Sequence, residues 1–491
     1  KKSKLKKGIF QMENRQNLSM LCDYYEFTMA DGYYRSNMGC KIAYFDIFFR
    51  SVPDSGGFAI AAGLEMAIEY LKNLSFTKED VSYLRKTGNF CDGFLEYLEN
   101  FKLTADIWAV PEGTPIFPDE PILTVRAPII EAQLLETMLL ATFNHQSLIA
   151  TKANRIVRAA AGRPVTEFGA RRAQGYDAAN LGARAAYIGG CNGTSCTLTG
   201  EMFKVPLYGT MAHSWIQLFD SEYEAFKTFA TLYPHNCLLL IDTFNALKQG
   251  LPNAIRVFDE VLKPLNIRPV GVRIDSGDIT YLSIKVREML DKAGYPDCKI
   301  MASNSLDENI IASILSEGAK IDMFGVGERL ITSKSESVFG GVYKLAAIEQ
   351  DGKIIPKIKI SENVIKITNP HFKKVYRLFD NISGKAIADL VTLHSEKINE
   401  DMPLTIFDPD YSWKTKTITN FTAVSLLKRI FKNGKLVYEN PSLEEIREYS
   451  KTEISKLYKE LLRFENPHKY YVDLSKKLWD IKQKLLLKNK N

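Results

Sequence analysis

Several residues able to do chemistry occupy one kind of place in this chain. His213, Asp242, Arg273 with Asp275 and Asp278, Ser303 with Asn304, and Gly325 with Gly327 each come at or just after the end of a short apolar run. Arg171 and Arg172 follow another such run in VTEFGARR. Cations, carboxylates and glycine-lined backbone together suit a phosphorylated substrate carrying Mg²⁺. The GVGER turn would expose backbone N–H groups to a phosphate. His213, in GTMAHSW, has no neighbouring Ser or Cys nucleophile, which disfavours a hydrolase triad. A helix expected from Ser214 sets a partial positive charge beside the imidazole and disfavours the imidazolium. A neutral imidazole is nucleophilic, and a phosphoryl group placed on it would gain from the same helix end. From the residues alone, phosphate carrier and plain structural hydrogen-bonder both stay open for His213.

Such groups need elements to position them. From about Gly162 the chain alternates strand and helix patterns. Strands are expected at Pro164–Gly169, Val205–Thr210 (short and buried), Cys237–Ile241, Pro269–Ile274, Lys299–Ala302 and Ile321–Phe324. Ser214, with Gln217 as its capping-box partner, is expected to open a long amphipathic helix that Pro234 closes. Ile279–Lys292 and Asp307–Gly318 read as further helices. Repeats of roughly 30 residues in this order imply parallel strands with crossover helices. In a parallel barrel the C-terminal strand ends converge on one face, where active sites sit. The polar clusters would then face one cavity.

The flanking regions differ. Leu21–Tyr34 reads as an aromatic-rich helix, Lys41–Arg50 as a strand and Phe58–Leu71 as a helix. Leu103–Arg126 looks like a small roll of strands, and a helical run begins at Pro128. After Ser333 the alternation stops, hairpin signals run to Val391, and helices are expected over Ser442–Glu465 and from about Asp473. The expected domains are 13–162, completed by 338–440; 163–337, carrying the site; and a C-terminal helical segment, 441–491. Residues before Met12 are set aside as outside the fold.

Composition narrows the function. The chain has 491 residues and a formal charge of +6, with much of the excess in the ends KKSKLKK and KLLLKNKN. Lysine-rich ends read as solvated tails, which disfavours nucleic-acid binding. Seven scattered cysteines show no CxxC pair or Cys/His cluster. That pattern points to reduced thiols in a cytoplasm, and away from a disulfide frame or structural zinc. No apolar run has transmembrane length, and the N-terminus lacks a signal-peptide core.

The motifs DYYEFTM, FFRSVP, EFGARRAQG, GTS, YGTMAHSW, GVRIDSGD, ASNSLDE, FGVGERL and GGVYKL, in order from about Leu21 to Leu345, closely resemble the nicotinate phosphoribosyltransferases. The resemblance implies an α/β fold of the type II phosphoribosyltransferase kind: an irregular parallel α/β barrel joined to a mixed α+β domain, assembled as a homodimer. It implies that nicotinate and phosphoribosyl pyrophosphate give nicotinate mononucleotide and pyrophosphate, the first step from nicotinate towards NAD. It further implies ATP as a co-substrate, coupled through a phosphohistidine that maps onto His213, and a requirement for Mg²⁺.

Residue by residue, the resemblance implies that Phe168 stacks on the pyridine ring. Tyr25 (or its neighbour Tyr24) would cover the other face from the second subunit. Arg273 would serve the nicotinate carboxylate or the ring, and Arg171 would reach phosphates across the dimer. Asp275 and Asp278 would hold ribose or Mg²⁺. Ser303, Asn304, Gly325 and Gly327 would bind the 5′-phosphate or ribose. Thr210, Asp242 and Lys344 complete the substrate-binding set. Nicotinamide phosphoribosyltransferases resemble this chain but carry an acidic residue in a GTD motif; here it is Gly193-Thr194-Ser195. A carboxylate there would repel nicotinate, whereas a serine donates a hydrogen bond to it. The competing readings are that amide-using enzyme and a non-catalytic nucleotide or phosphate sensor on the same scaffold.

Overall fold

A computed structural model describes residues 17–488. The KKSKLKK end and the segment before Met12 lie outside those residues. Contacts divide the chain into two units, one made of the residues up to Ser147 together with those from Val338 onward, the other of Leu148–Ser337.

The Leu148–Ser337 unit is built on six strands: β1 (Val165–Glu167), β2 (Gly193–Thr194), β3 (Leu238–Leu240), β4 (Gly271–Ile274), β5 (Lys299–Ala302) and β6 (Met323–Val326). They form one sheet in the order β2-β1-β6-β5-β4-β3, with every pairing parallel. The strands are short and largely buried, such as the wholly buried LLL of β3. Helices α1 (Tyr176–Ile188), α2 (His213–Leu218), α3 (Glu222–Leu232), α4 (Ile279–Lys292), α5 (Glu308–Ser316) and α6 (Glu328–Ile331) accompany them. Side chains cap three: Ser221 accepts from Glu224 N at the start of α3, Asp278 from Tyr281 N at the start of α4, and Asp307 from Asn309 and Ile310 N at the start of α5.

Three local expectations need correction. Val205–Thr210 is not a buried strand: it contributes one bridge, Leu207 to Thr194, and Leu207 and Tyr208 are exposed. The long helix from Ser214 is two helices. The first begins at His213 with no side-chain cap, and the second is capped by Ser221, which accepts from Glu224 N. The last strand sits two residues later than expected, so Gly325 lies within it. The named strands end at β2 on one side, beyond which only the Leu207 bridge pairs, and at β3 on the other, and among the described residues no backbone pairing joins these edges.

The other unit holds a seven-stranded sheet. In it Ile42–Phe48 is flanked antiparallel by Val342–Gln350 and by the central strand Leu123–Pro128; Asp106–Ala109 follows, and Lys428–Lys432 pairs beyond it. The expected helix from Phe58 is a two-residue strand followed by a helix over Leu64–Asn73. Residues after 440 belong to this unit; they supply the helix Leu443–Ser455 and a strand, Val472–Leu474, in a four-stranded sheet. The lysine-rich C-terminal stretch expected as a tail is helical through Lys488. In this sheet Arg377 donates from Nε and Nη2 to Asp389 at 2.9 and 2.7 Å, and both side chains are fully buried.

Candidate active site

Arg273, near the C-terminal end of β4, is the hub. Its Nε donates to Ser303 Oγ at 2.8 Å, Nη1 to Thr210 Oγ1 at 3.1 Å, and Nη2 to Asp275 Oδ1 at 2.7 Å. The guanidinium carbon lies 5.8 Å from the centre of the Phe168 ring. Ser303 also donates to Asp275 Oδ1, and the other oxygen of Asp275 is 3.6 Å from His213 Nε2. Burial pulls the Asp275 carboxyl up; the Ser303 hydroxyl, the Arg273 charge and His213 outweigh it and hold the group below its usual range. His213 Nδ1 is 3.0 Å from Thr243 Oγ1. Asp242 Oδ2 accepts from Asp275 N at 2.8 Å and from Ser276 Oγ at 2.6 Å, while its Oδ1 is buried with no partner. The chain after β3, β4 and β5, with the loop before α2, thus gathers Thr210, His213, Asp242, Asp275 and Ser303 around Arg273.

A second group sits at the ends of β1, β2 and β6. Phe168 N donates to Val326 O at 2.8 Å, which carries the strand pairing one residue further. A Cβ on Gly325 would lie 2.6 Å from two carbons of the Phe168 ring. Gly325 therefore makes room for that ring, and does so from within β6. Gly327, just past β6, faces the Phe168 carbonyl, 3.1 Å from where its Cβ would be. Ser195 is exposed at the end of β2, and its N–H donates to Glu167 O at 2.9 Å. Glu167 itself went unassigned in the sequence. It is fully buried, accepts from Thr194 Oγ1 at 2.6 Å and from Gly169 N, and burial raises its carboxyl against those two bonds. An acidic residue inside a three-residue buried strand was the available signal.

Family models match both ends of the chain: the nicotinate phosphoribosyltransferase N-terminal domain over residues 20–144 and its C-terminal domain over 372–482. A curated nicotinate phosphoribosyltransferase of Bacillus subtilis is 43% identical over 466 residues, 95% of this chain and 94% of that protein. The chain belongs to the nicotinate phosphoribosyltransferase family. Among solved structures, human nicotinic acid phosphoribosyltransferase superposes with a TM-score of 0.84 at 29% identity, covering 94% of this chain and 99% of the human one. A nicotinate-nucleotide pyrophosphorylase from Pyrococcus furiosus superposes at 0.70 and 27% identity, covering 90% and 97%. Membership of the nicotinate phosphoribosyltransferase family makes the protein an enzyme with that mixed α/β fold. It also extends the likeness past Leu345, where the motifs stopped.

Not every expected residue joins the cluster. Asp278 is exposed and spends Oδ1 on capping α4. Asn304 is exposed in a left-handed backbone conformation, φ 85°. Arg171 and Arg172 are exposed in a single helical turn, Ala170–Arg172. Tyr25 and Lys344 belong to the other unit, where both approach Glu136: Lys344 Nζ is 3.8 Å from its carboxylate, and that charge adds to burial in raising the Tyr25 phenol. Tyr24, by contrast, accepts from Asn89 Nδ2 at 2.6 Å. Among the described residues no group of three or more His, Cys, Asp or Glu gathers as a metal cage. Mg²⁺ commonly takes one or two carboxylates plus substrate phosphates, and the bare Asp242 Oδ1 beside Asp275 fits that mode.

Proposed function

We propose that this member of the family joins nicotinate to phosphoribosyl pyrophosphate, giving nicotinate mononucleotide and pyrophosphate in the first step from nicotinate to NAD. The single observation carrying this reading is Arg273 held by Ser303, Thr210 and Asp275 against the Phe168 ring. A guanidinium fixed on three sides offers a pre-oriented charge to a carboxylate, and the ring offers a face to an aromatic heterocycle. The Ser195 hydroxyl donates to the same carboxylate, where an acidic side chain would repel it. The pyridine nitrogen forms its bond to the ribose C1′ as the bond from C1′ to the pyrophosphate oxygen breaks, and pyrophosphate leaves with the electron pair. The protein holds the ring in line with that carbon and stabilises the developing ribosyl cation. Asp242 and Asp275 would hold Mg²⁺, which neutralises pyrophosphate charge when bound.

His213 takes the γ-phosphoryl of ATP, releasing ADP, and water later releases phosphate from it. The Asp275 carboxylate beside the ring stabilises the positive charge it gains on phosphorylation. Asn304 and Gly327 remain the 5′-phosphate or ribose contacts. Asp278 serves first as a helix cap. The parallel sheet forms part of an irregular barrel, and Tyr25, Arg171 and Lys344 act in a homodimer, in a cytoplasmic setting.

Purified protein given nicotinate, phosphoribosyl pyrophosphate, Mg²⁺ and ATP is expected to release nicotinate mononucleotide; no product would sink the reading. His213→Ala is expected to lose ATP stimulation and the acid-labile phosphoenzyme while keeping slow synthesis. Turnover of nicotinamide equal to that of nicotinate would favour the amide-using enzyme, and Ser195→Asp is expected to move preference that way.

A further inference from the structure

One carboxylate joins the ends of β1 and β2. Glu167 accepts from Gly169 N through Oε1 and from Thr194 Oγ1 through Oε2, and its own carbonyl accepts from Ser195 N. Thr194 Oγ1 accepts in turn from Cys196 N at 2.9 Å. These four attachments are the chain neighbours of Phe168 and Ser195, or Ser195 itself. Little else can adjust there: a Cβ on Gly169 would lie 2.5 Å from Ile331 Cβ and 2.7 Å from Glu167 Oε1.

The chemistry of the two donors explains why an acid stands at this position. A peptide N–H can only donate. The Thr194 hydroxyl already has Cys196 N as a donor to its oxygen, so its proton is directed to Glu167. Two converging donors call for two acceptor oxygens, which a carboxylate supplies and an amide does not. A buried carboxylate is costly unless its hydrogen bonds are made, and an apolar residue would fill the strand more cheaply. Filling space is therefore not the reason for Glu167.

We infer that Glu167 is a positioning residue that ties the ends of β1 and β2 so that the Phe168 ring and the Ser195 hydroxyl meet the same ligand. The inference rests on the proposal that those two residues contact nicotinate. It assigns Glu167 no contact with substrate. Its effect passes through the Thr194 bond on one side and the Gly169 bond on the other, and so concerns recognition of the pyridine rather than of the phosphates.

The test is steady-state kinetics with each substrate varied. Thr194→Val keeps the side-chain shape and removes the hydroxyl. It is expected to raise the KM for nicotinate about tenfold while the KM for phosphoribosyl pyrophosphate stays within about twofold. Glu167→Gln, which keeps one acceptor, is expected to raise it less, and Thr194→Ser is expected to restore it. Phe168→Ala and Ser195→Ala serve as references. If these raise the nicotinate KM and Thr194→Val leaves it within about twofold of the parent, the clamp is wrong and the assigned ligand contacts stand. A parallel rise in both KM values, tracking a lowered thermal midpoint, would reduce Glu167 to a structural residue and also overturn the inference. If Phe168→Ala and Ser195→Ala leave the nicotinate KM unchanged, the assigned ligand contacts themselves fail, and the clamp falls with them.

Discussion

Each unit contains an arginine–aspartate pair with the same 2.7 Å separation, yet the two pairs do different things. Arg377 and Asp389 are 1% and 0% exposed. Arg377 also donates to Pro115 O and Asp389 accepts from Tyr470, so the pair's further partners come from within the fold, although Arg377 Nη1 is buried without a hydrogen-bond partner. The Phe117 and Tyr470 rings stack at 3.8 Å and lie against the guanidinium. Arg273 and Asp275 are 13% and 27% exposed, and their companions are hydroxyls on loops and strand ends, with His213 alongside. The sealed pair serves the fold. The open pair keeps an aromatic face and a carboxylate edge available, and a ligand can use both. Distance alone does not separate a structural ion pair from a binding one; access to it does.

Removing one partner of each pair is the sharpest way to break the comparison. Arg377→Met strands a buried carboxylate and is expected to cost about 3–5 kcal/mol of stability in urea unfolding. Adding Asp389→Leu should recover most of that loss; a double variant as unstable as the single one would show that packing, not charge, is at stake. Arg273→Ala is expected to lower kcat/KM for nicotinate about 10²–10³-fold, with a smaller loss of stability than Arg377→Met. Loss of stability equal to that of Arg377→Met, with activity intact, would erase the distinction. Gly325→Ala pushes a methyl into the Phe168 ring beside the open pair. Overpacking of this kind is expected to cost about 1–3 kcal/mol and to raise the nicotinate KM more than that of the co-substrate.

Acidity gives the smallest contrast. Burial, then the Asp389 carboxylate, hold the Glu120 carboxyl beside the sealed pair well above its ordinary 4.5. The folded chain thus keeps a proton that the unfolded chain loses above about that pH. Stability from this group is fully present below 4.5 and falls as pH rises, by at most about 1.4 kcal/mol per pH unit. Glu120→Gln cannot titrate, so the thermal midpoint of that variant should fall less between about pH 5 and pH 8. An unchanged slope would remove Glu120 as its source. Asp275 has the opposite sign: held below 3.8, it keeps its contribution above that pH and loses it only as pH falls further.

Much of the scaffold was readable where local signals suffice. Lys299–Ala302 and Ile279–Lys292 keep their expected bounds, one set by an apolar run and the other by the Asp278 cap. Val205–Thr210 has a strand-like composition but lacks a partner along its length, which only tertiary pairing decides. Ser214 with Gln217 matches a capping box, yet the cap that forms is Ser221, one short helix later. The same limit applies in the site. Asp242, Asp275 and Ser303 stand just after strands and Arg273 near the end of one, so their gathering was legible from position alone. The purpose of Gly325 and the role of Glu167 depend on which ring and which hydroxyl arrive from elsewhere in the chain, and neighbouring residues do not encode that.

Lys428 pairs with Ala109 in the seven-stranded sheet, roughly 300 positions later in the chain. During synthesis the edge of Asp106–Ala109 must therefore wait for its partner. At about 5–20 residues per second the wait is on the order of tens of seconds. The Leu148–Ser337 segment emerges completely within that interval and has all six of its parallel strands on hand. The unit built from both ends of the chain is thus the late folder and carries an unpaired strand edge through most of translation, a known invitation to wrong pairing. Yield on expression, and its response to slower growth or to a strand-binding chaperone, should follow that seven-stranded sheet rather than the unit that carries the Arg273 cluster.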